Sequence, residues 1–302
     1  MTKITTIHTD SLELFDTHAH ITSDFFSENA INVLKSSFYG KFPEKIENSS
    51  KFEKKWNFQI SGILNVATSL DTSHEVVKLS SDFPQIYAAV GIHPNNIDDS
   101  SHDEWQEIIE LSKNIKVAAI GETGLDRYWD TVPFEIQREY FERHLDLAKK
   151  RNIPVVIHSR NCDGDMLEIL NNHAKLSPIL GVIHSFSSSP EVAEKFLEMG
   201  LYISFSGSVT YSNKKFSQIR ESAKTIPNER ILIETDSPFL TPHPFRGKIE
   251  KNTPLMTAFV AQTLSGLRNC SIADIAKITT ANARQIFGTQ NNNVNTKKLN
   301  EK

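Results

Sequence analysis

Apolar runs of five to eight residues recur eight times along the chain, and most are separated by stretches whose hydrophobic positions return every third or fourth residue. The strand-like runs fall at 13–18, 60–67, 86–92, 116–121, 154–159, 179–184, 201–206 and 231–235. Between them HEVVKLSSDF, WQEIIELSKN, FEIQREYFERHLDLAKKRN, DGDMLEILNNHA, SPEVAEKFLEMG and KKFSQIRESAK read as amphipathic helices. The longest carries Phe134, Tyr140, Phe141, Leu145 and Ala148 as one apolar stripe. Ser189-Pro190 with Glu191 nearby marks a helix start, and Gly200 a stop. Strands that alternate with helices argue for a parallel sheet.

An open doubly wound sheet and a closed barrel both satisfy that alternation. Polar strand ends favour the barrel. ELFDTHAH (13–20), YAAVGIHP (87–94), VAAIGETGLD (117–126), PVVIHSR (154–160), GVIHSF (181–186) and ILIETDSPFL (231–240) each carry a His, Glu or Asp at or just past an apolar run. An open sheet gathers ligands at one switch point, whereas a barrel rim gathers them from all round. The predicted fold is α/β, a single-domain TIM-type (β/α)8 barrel over residues 1–288, with its site at the C-terminal ends of the strands. Residues 38–58, charged and irregular, read as an inserted βα loop or lid at the rim, or as a solvated insertion. The Asn-rich tail 289–302 reads as disordered.

Composition narrows the function only a little. The 302 residues are 38% hydrophobic and 23% charged, ordinary for a soluble globular chain. A net charge of −4 gives no global attraction to nucleic acid, so a polyanionic substrate must be held by local cations or metals. Two distant cysteines, Cys162 and Cys270, offer neither a disulfide framework nor a Cys-rich zinc site. No apolar run reaches the ~18 residues of a membrane span, and MTKITTIHTD lacks a signal peptide's apolar core. The expected location is cytoplasmic.

The candidate chemistry is metal binding. His18 and His20, two apart in an extended segment, project to the same side. Glu122 lies between Gly121 and Gly124 in what reads as a flexible turn over the barrel mouth. His158, His184 and Asp236 close three further runs. A lone strand-end His is usually a hydrogen-bonded structural residue, and Asp236 before Ser237-Pro238 alone could cap a turn. Six such residues at correlated strand ends are harder to explain that way, and the His and carboxylate mixture suits first-row divalent ions. The set exceeds one tetrahedral site, so two ions about 3.5–4 Å apart are expected. His18, His20 and Asp236 would hold one, His158 and His184 the other, with Glu122 as the bridge.

The ordered motifs DTHAH, GIHP, GETGLD, IHSR, IHSFS, ETDSPFLTP followed by RGK, and TTANARQIFG resemble the TatD family of metal-dependent deoxyribonucleases over roughly residues 13–287. The resemblance implies the same six ligands, two divalent ions (Mg, Mn or Zn) and phosphodiester hydrolysis of DNA, often as a 3′→5′ exonuclease. His93 would be a nearby polar residue of the site. Asn95 replaces a further His that often follows GxHP, and His184-Ser185-Phe186-Ser187-Ser188 replaces HCFSG. Neither change removes a proposed ligand.

Asp236 would serve as metal ligand and proton acceptor. Arg160, two residues past His158, and Arg246 and Lys248 beyond the Pro-rich loop would grip phosphate, and Phe239 and Phe245 could stack on a base or simply pack the loop. Lys41, Lys45, Lys51, Lys54 and Lys55 interleave with Glu44, Glu47 and Glu53, which favours a solvated face. The expected partner is single-stranded or frayed DNA as substrate, with no membrane and no obligate protein partner. Two rivals remain at this point. One is a metal-dependent hydrolase of another ester or amide, such as D-aminoacyl-tRNA deacylation. The other is a non-catalytic metal-bound scaffold.

Overall fold

Eight strands, each buried on both faces and therefore nearly continuous in apolar residues, pair in parallel in sequence order. The computed structural model describes residues 11–42, 44–47, 49, 57–129 and 131–288. The strands are β1 (Leu12–Ala19), β2 (Phe58–Val66), β3 (Ile86–Val90), β4 (Val117–Asp126), β5 (Val155–Arg160), β6 (Gly181–Ile183), β7 (Tyr202–Phe205) and β8 (Ile231–Ile233). All eight coincide with the apolar runs, and the intervening helices make a nearly closed TIM-type (β/α)8 barrel. The barrel closes where Ala19 bridges Ser237 in parallel. There the Asp236 N–H donates to the His18 carbonyl (2.9 Å) and the His20 N–H to the Ser237 carbonyl (2.8 Å). Asp16 reinforces the seam by accepting from the Thr235 N–H (2.9 Å) and hydroxyl (2.5 Å). Closure therefore brings Asp236 beside His18 and His20.

Two apolar layers hold the barrel. Leu14, Ile63, Ile120, Ile157, Ile203 and their neighbours face the surrounding helices. Phe15, Leu64, Ala89, Ala119, Val156, Val182 and Leu232 form a second cluster with Ile286 and Phe287 of the C-terminal segment. Phe287 stacks on Phe15 at 6.2 Å and Phe15 on Tyr87 at 5.8 Å, near the starts of β1 and β3. The mouth thus sits above an apolar floor.

Three expectations change. β4 does not stop at 121 but runs on to Asp126, so Glu122 is inside a strand and not on a flexible turn. Gly124, at φ 144°, makes the close approach to β5 possible, since a Cβ there would lie 2.0 Å from the His158 carbonyl oxygen. Within the 38–58 stretch expected to be irregular, a short helix forms at Glu44–Glu47. Phe42 and Ile46 are buried, and the Phe42 ring meets Phe259 at 5.8 Å, so part of the 38–58 stretch belongs to the core and is not a free lid. Lys51, Glu53, Lys54, Lys55 and the tail 289–302 lie outside the described residues. No helix among the described residues is long and apolar enough to cross a membrane.

Candidate metal centre

Hydrogen bonds behind His20 and His158 decide which nitrogen faces the barrel mouth. The Val66 carbonyl can only accept, so His20 donates its Nδ1–H to it (2.8 Å) and turns a bare Nε2 inward. His158 uses the opposite tautomer. Its Nε2–H donates to Asp126 Oδ2 (3.0 Å), which leaves Nδ1 as the inward lone pair. His184 Nδ1 lies 3.4 Å from Glu234 Oε1, and its Nε2 points to Glu122 Oε1 at 2.8 Å. Glu234 is itself fixed by the Ser185 N–H (2.6 Å). His18 is fully buried, and its ring stacks on that of His184 at 4.0 Å.

The six residues singled out from the sequence all lie together. His18, His20 and Asp236 form one donor group. His18 Nε2 is 3.1 Å from His20 Nε2, and Asp236 Oδ1 is 3.4 Å from His20 Nε2. His158 and His184 lie on the other side, their Nδ1 and Nε2 3.3 Å apart. Glu122 stands between the groups. Its Oε2 lies 3.3 and 3.5 Å from His18 and His20, and its Oε1 lies 3.0 and 2.8 Å from His158 and His184.

Such a cluster is unstable unless something positive joins it. Lone pairs of His20 Nε2 and His158 Nδ1 face carboxylate oxygens, and no donor hydrogen separates them when the rings are neutral. A proton or a cation must. Burial opposes charge on His184, yet the Glu122 carboxylate outweighs it and raises the imidazole well above its ordinary range. Burial also opposes ionised Glu122, but His184 and His18 pull its carboxyl well below the usual range. Imidazoles backed by a carbonyl or a carboxylate, grouped round a shared carboxylate, are the donor set that divalent ions take. The residues fit a metal.

Local backbone aims these groups. Asp236 (φ 57°), Ser185 after His184 (φ 43°) and Asn161 after Arg160 (φ 57°) are left-handed and turn the chain sharply at the strand ends. His93 differs in kind. Its Nδ1 accepts the Asn95 N–H (3.1 Å), so its Nε2–H faces Glu122 Oε1 at 3.6 Å as a weak donor. Burial pushes its pKa down to about 3.

The other sequence candidates divide. Arg160 extends from the end of β5, two residues past His158, with its guanidinium over Tyr128 at 3.8 Å. Arg246 lies over Tyr211 at 4.0 Å, and Lys248 is exposed in the same turn-rich segment. Phe245 is buried against Phe259, whereas Phe239 is half-exposed beside Phe25 and His20. Asp126 and Glu234, which orient His158 and His184, were not among the candidates. Their signal was present as alternate positions in GETGLD and ETD, where period two puts Glu122 and Asp126, or Glu234 and Asp236, on one face of an extended run.

A family described as TatD related DNase matches residues 15–288. The chain is 38% identical over 274 residues to a Bacillus subtilis protein described as the uncharacterized metal-dependent hydrolase YabD, covering 91% of this chain and 98% of that one. It is 37% identical over 224 residues to the Escherichia coli (strain K12) protein YcfH, likewise described, covering 74% and 82%. The crystal structure of YjjV, a TatD homologue from Escherichia coli K12, superposes with a TM-score of 0.77 at 30% identity, covering 91% and 98%.

Proposed function

The chain belongs to the TatD-related DNase family, and on that premise we propose that its barrel mouth hydrolyses the phosphodiester bonds of DNA, removing nucleotides from a 3′ end. It is a metal-dependent hydrolase of that family. The observation that carries the finer reading is Glu122, which offers one oxygen to each of two donor groups. His18, His20 and Asp236 would hold one divalent ion and His158 with His184 the other, bridged by Glu122. When bound, such ions supply Lewis acidity, polarising a phosphoryl oxygen and bringing deprotonation of water toward neutral pH.

The chain's own residues do the rest. Asp236 is the more open carboxylate, with 14% side-chain exposure against 3% for Glu122. It is therefore the one placed to take a proton from the attacking water. The water oxygen joins phosphorus, the P–O bond to the leaving sugar breaks, and that oxygen takes up a proton. Asp126 keeps His158 in a single tautomer, and Glu234 lies 3.4 Å behind His184. Arg160 meets the phosphate with its planar fork. The apolar layer beneath keeps bulk water out from below.

The test is a 5′-end-labelled single strand incubated with purified protein and Mg²⁺, Mn²⁺ or Zn²⁺. The expected result is a ladder shortening from the 3′ end and abolished by chelator. An intact strand alongside hydrolysis of an aminoacyl ester would overturn the DNA assignment.

A further inference from the structure

The turn that leaves β4 carries two large aromatic side chains that the fold does not bury. Tyr128 and Trp129 are 53% and 52% exposed, and their rings stand edge to face, 4.9 Å apart at 89°. Most other exposed apolar side chains are scattered, Ile115 and Leu176 among them. These two sit together beside the donor cluster. Leaving half of two such rings in water is costly unless something else covers them.

Their position is fixed without help from the rings. Asp126 Oδ1 accepts the backbone N–H groups of both Tyr128 (2.7 Å) and Trp129 (3.0 Å). The other oxygen of the same carboxylate accepts from His158 Nε2 (3.0 Å) and from the Asn95 amide (3.1 Å). One buried carboxylate therefore sets the aromatic pair and a metal-facing imidazole in a single register.

A cation completes the arrangement. Arg160 lies 3.8 Å over the Tyr128 ring and 5.8 Å from Trp129. Among the described residues no carboxylate pairs with it. Its neighbour Arg127 behaves differently, forming two bonds of 2.8 Å with Asp165 and stacking over Phe134 at 3.6 Å. Of two arginines on adjacent strand ends, one is committed to the scaffold and the other to the aromatic corner.

We propose that Tyr128 and Trp129 form a stacking platform for a nucleobase of a single-stranded substrate, with Arg160 engaging the phosphate that follows it. Every base has a π-face, so the platform selects unpaired nucleic acid without reading sequence. It disfavours small esters, which have nothing to lay on the rings. The proposal rests on the DNA reading above and deepens it.

The experiment pairs a ring deletion with a base deletion. Tyr128→Ala/Trp129→Ala and wild-type protein, both metal-free so that nothing is cleaved, bind a fluorescent single strand and the same strand with abasic 3′-terminal nucleotides, followed by anisotropy. Wild-type protein is expected to favour the base-containing strand by about 10-fold or more, the scale of stacking on an aromatic residue. The variant is expected to lose that preference. Tyr128→Phe/Trp129→Phe retains flat rings and should restore it, which separates stacking from a damaged fold. A variant with the wild-type preference for bases, or a wild-type protein with none, would overturn the platform. Absence of phosphodiester cleavage by metal-loaded wild-type protein would count against the nuclease reading and leave this binding comparison intact.

Discussion

Two kinds of buried histidine occur in this barrel, and they differ in what their environment leaves unfinished. His144 lies on the helix Phe134–Arg151, fully enclosed, with both nitrogens used. Its Nδ1–H donates to the Tyr140 carbonyl (2.6 Å) and its Nε2 accepts the Ile92 N–H (3.0 Å). At the mouth His20 and His158 have their outer nitrogens engaged by the Val66 carbonyl and Asp126, while their inner nitrogens meet other acceptors. Burial, aided by the Arg143 charge, pushes His144 down to about 4. At the mouth the Glu122 carboxylate overcomes burial and drives His184 the other way. A complete hydrogen-bond set marks a structural imidazole, and a converging incomplete one marks a candidate ligand.

The largest break in that contrast is Glu122→Ala. Hydrolysis should fall on the order of 10³-fold, the scale of removing a preorganised charge from an enclosed site, and bound metal should fall with it. Near-normal turnover at full metal content would show that Glu122 does not bridge.

His144→Leu probes the other side. It leaves the Ile92 N–H without its acceptor, at about 1–3 kcal/mol of stability, while the Tyr140 carbonyl keeps its helical bond. The pH profile carries the sign. The folded-state pKa near 4 lies below the unfolded value near 6.5, so the unfolded chain takes up the proton first. The His144 contribution is fully present above about pH 6.5 and is lost as pH falls towards 4, by up to about 3 kcal/mol. Urea midpoints across that range should fall more steeply for wild type than for His144→Leu, and parallel profiles would refute the assignment.

Asp126→Asn removes the charge behind His158 while keeping its shape. Metal affinity should fall about 10- to 100-fold, as for other groups that orient a ligating imidazole. Unchanged affinity by calorimetry would mean that His158 does not depend on Asp126.

The smallest effect is expected for Arg246→Ala. Its place over Tyr211 predicts a stability loss of about 0.5–1 kcal/mol and a smaller rise in KM for a single strand than Arg160→Ala causes. The reverse order in KM would return Arg246 to the phosphate.

Much of this was legible along the chain, for physical reasons. Buried parallel strands must be apolar throughout, so all eight announced themselves, and a His or carboxylate at their ends stood out against that background. What stayed hidden depends on contacts between distant segments. The continuation of β4 through Gly121 and Gly124 follows from its approach to β5, which no local pattern encodes. Phe42 and Ile46 sit in a charged stretch yet are buried, Phe42 against Phe259 of the helix Thr257–Arg268. Asp126 and Glu234 were visible as acidic residues, but only the contacts with His158 and His184 disclose their task. The charge of Arg246 is readable in sequence, whereas the Tyr211 ring beneath its guanidinium is not.

The most direct test of the mouth as a metal centre is to titrate metal-free protein with Zn²⁺ while recording the imidazole ¹⁵N resonances. Two ions should bind per chain, with His20 responding at Nε2 and His158 at Nδ1, the mixed pattern fixed by Val66 and Asp126. Saturation with no change at either nitrogen, or coordination of both rings through the same nitrogen type, would contradict it.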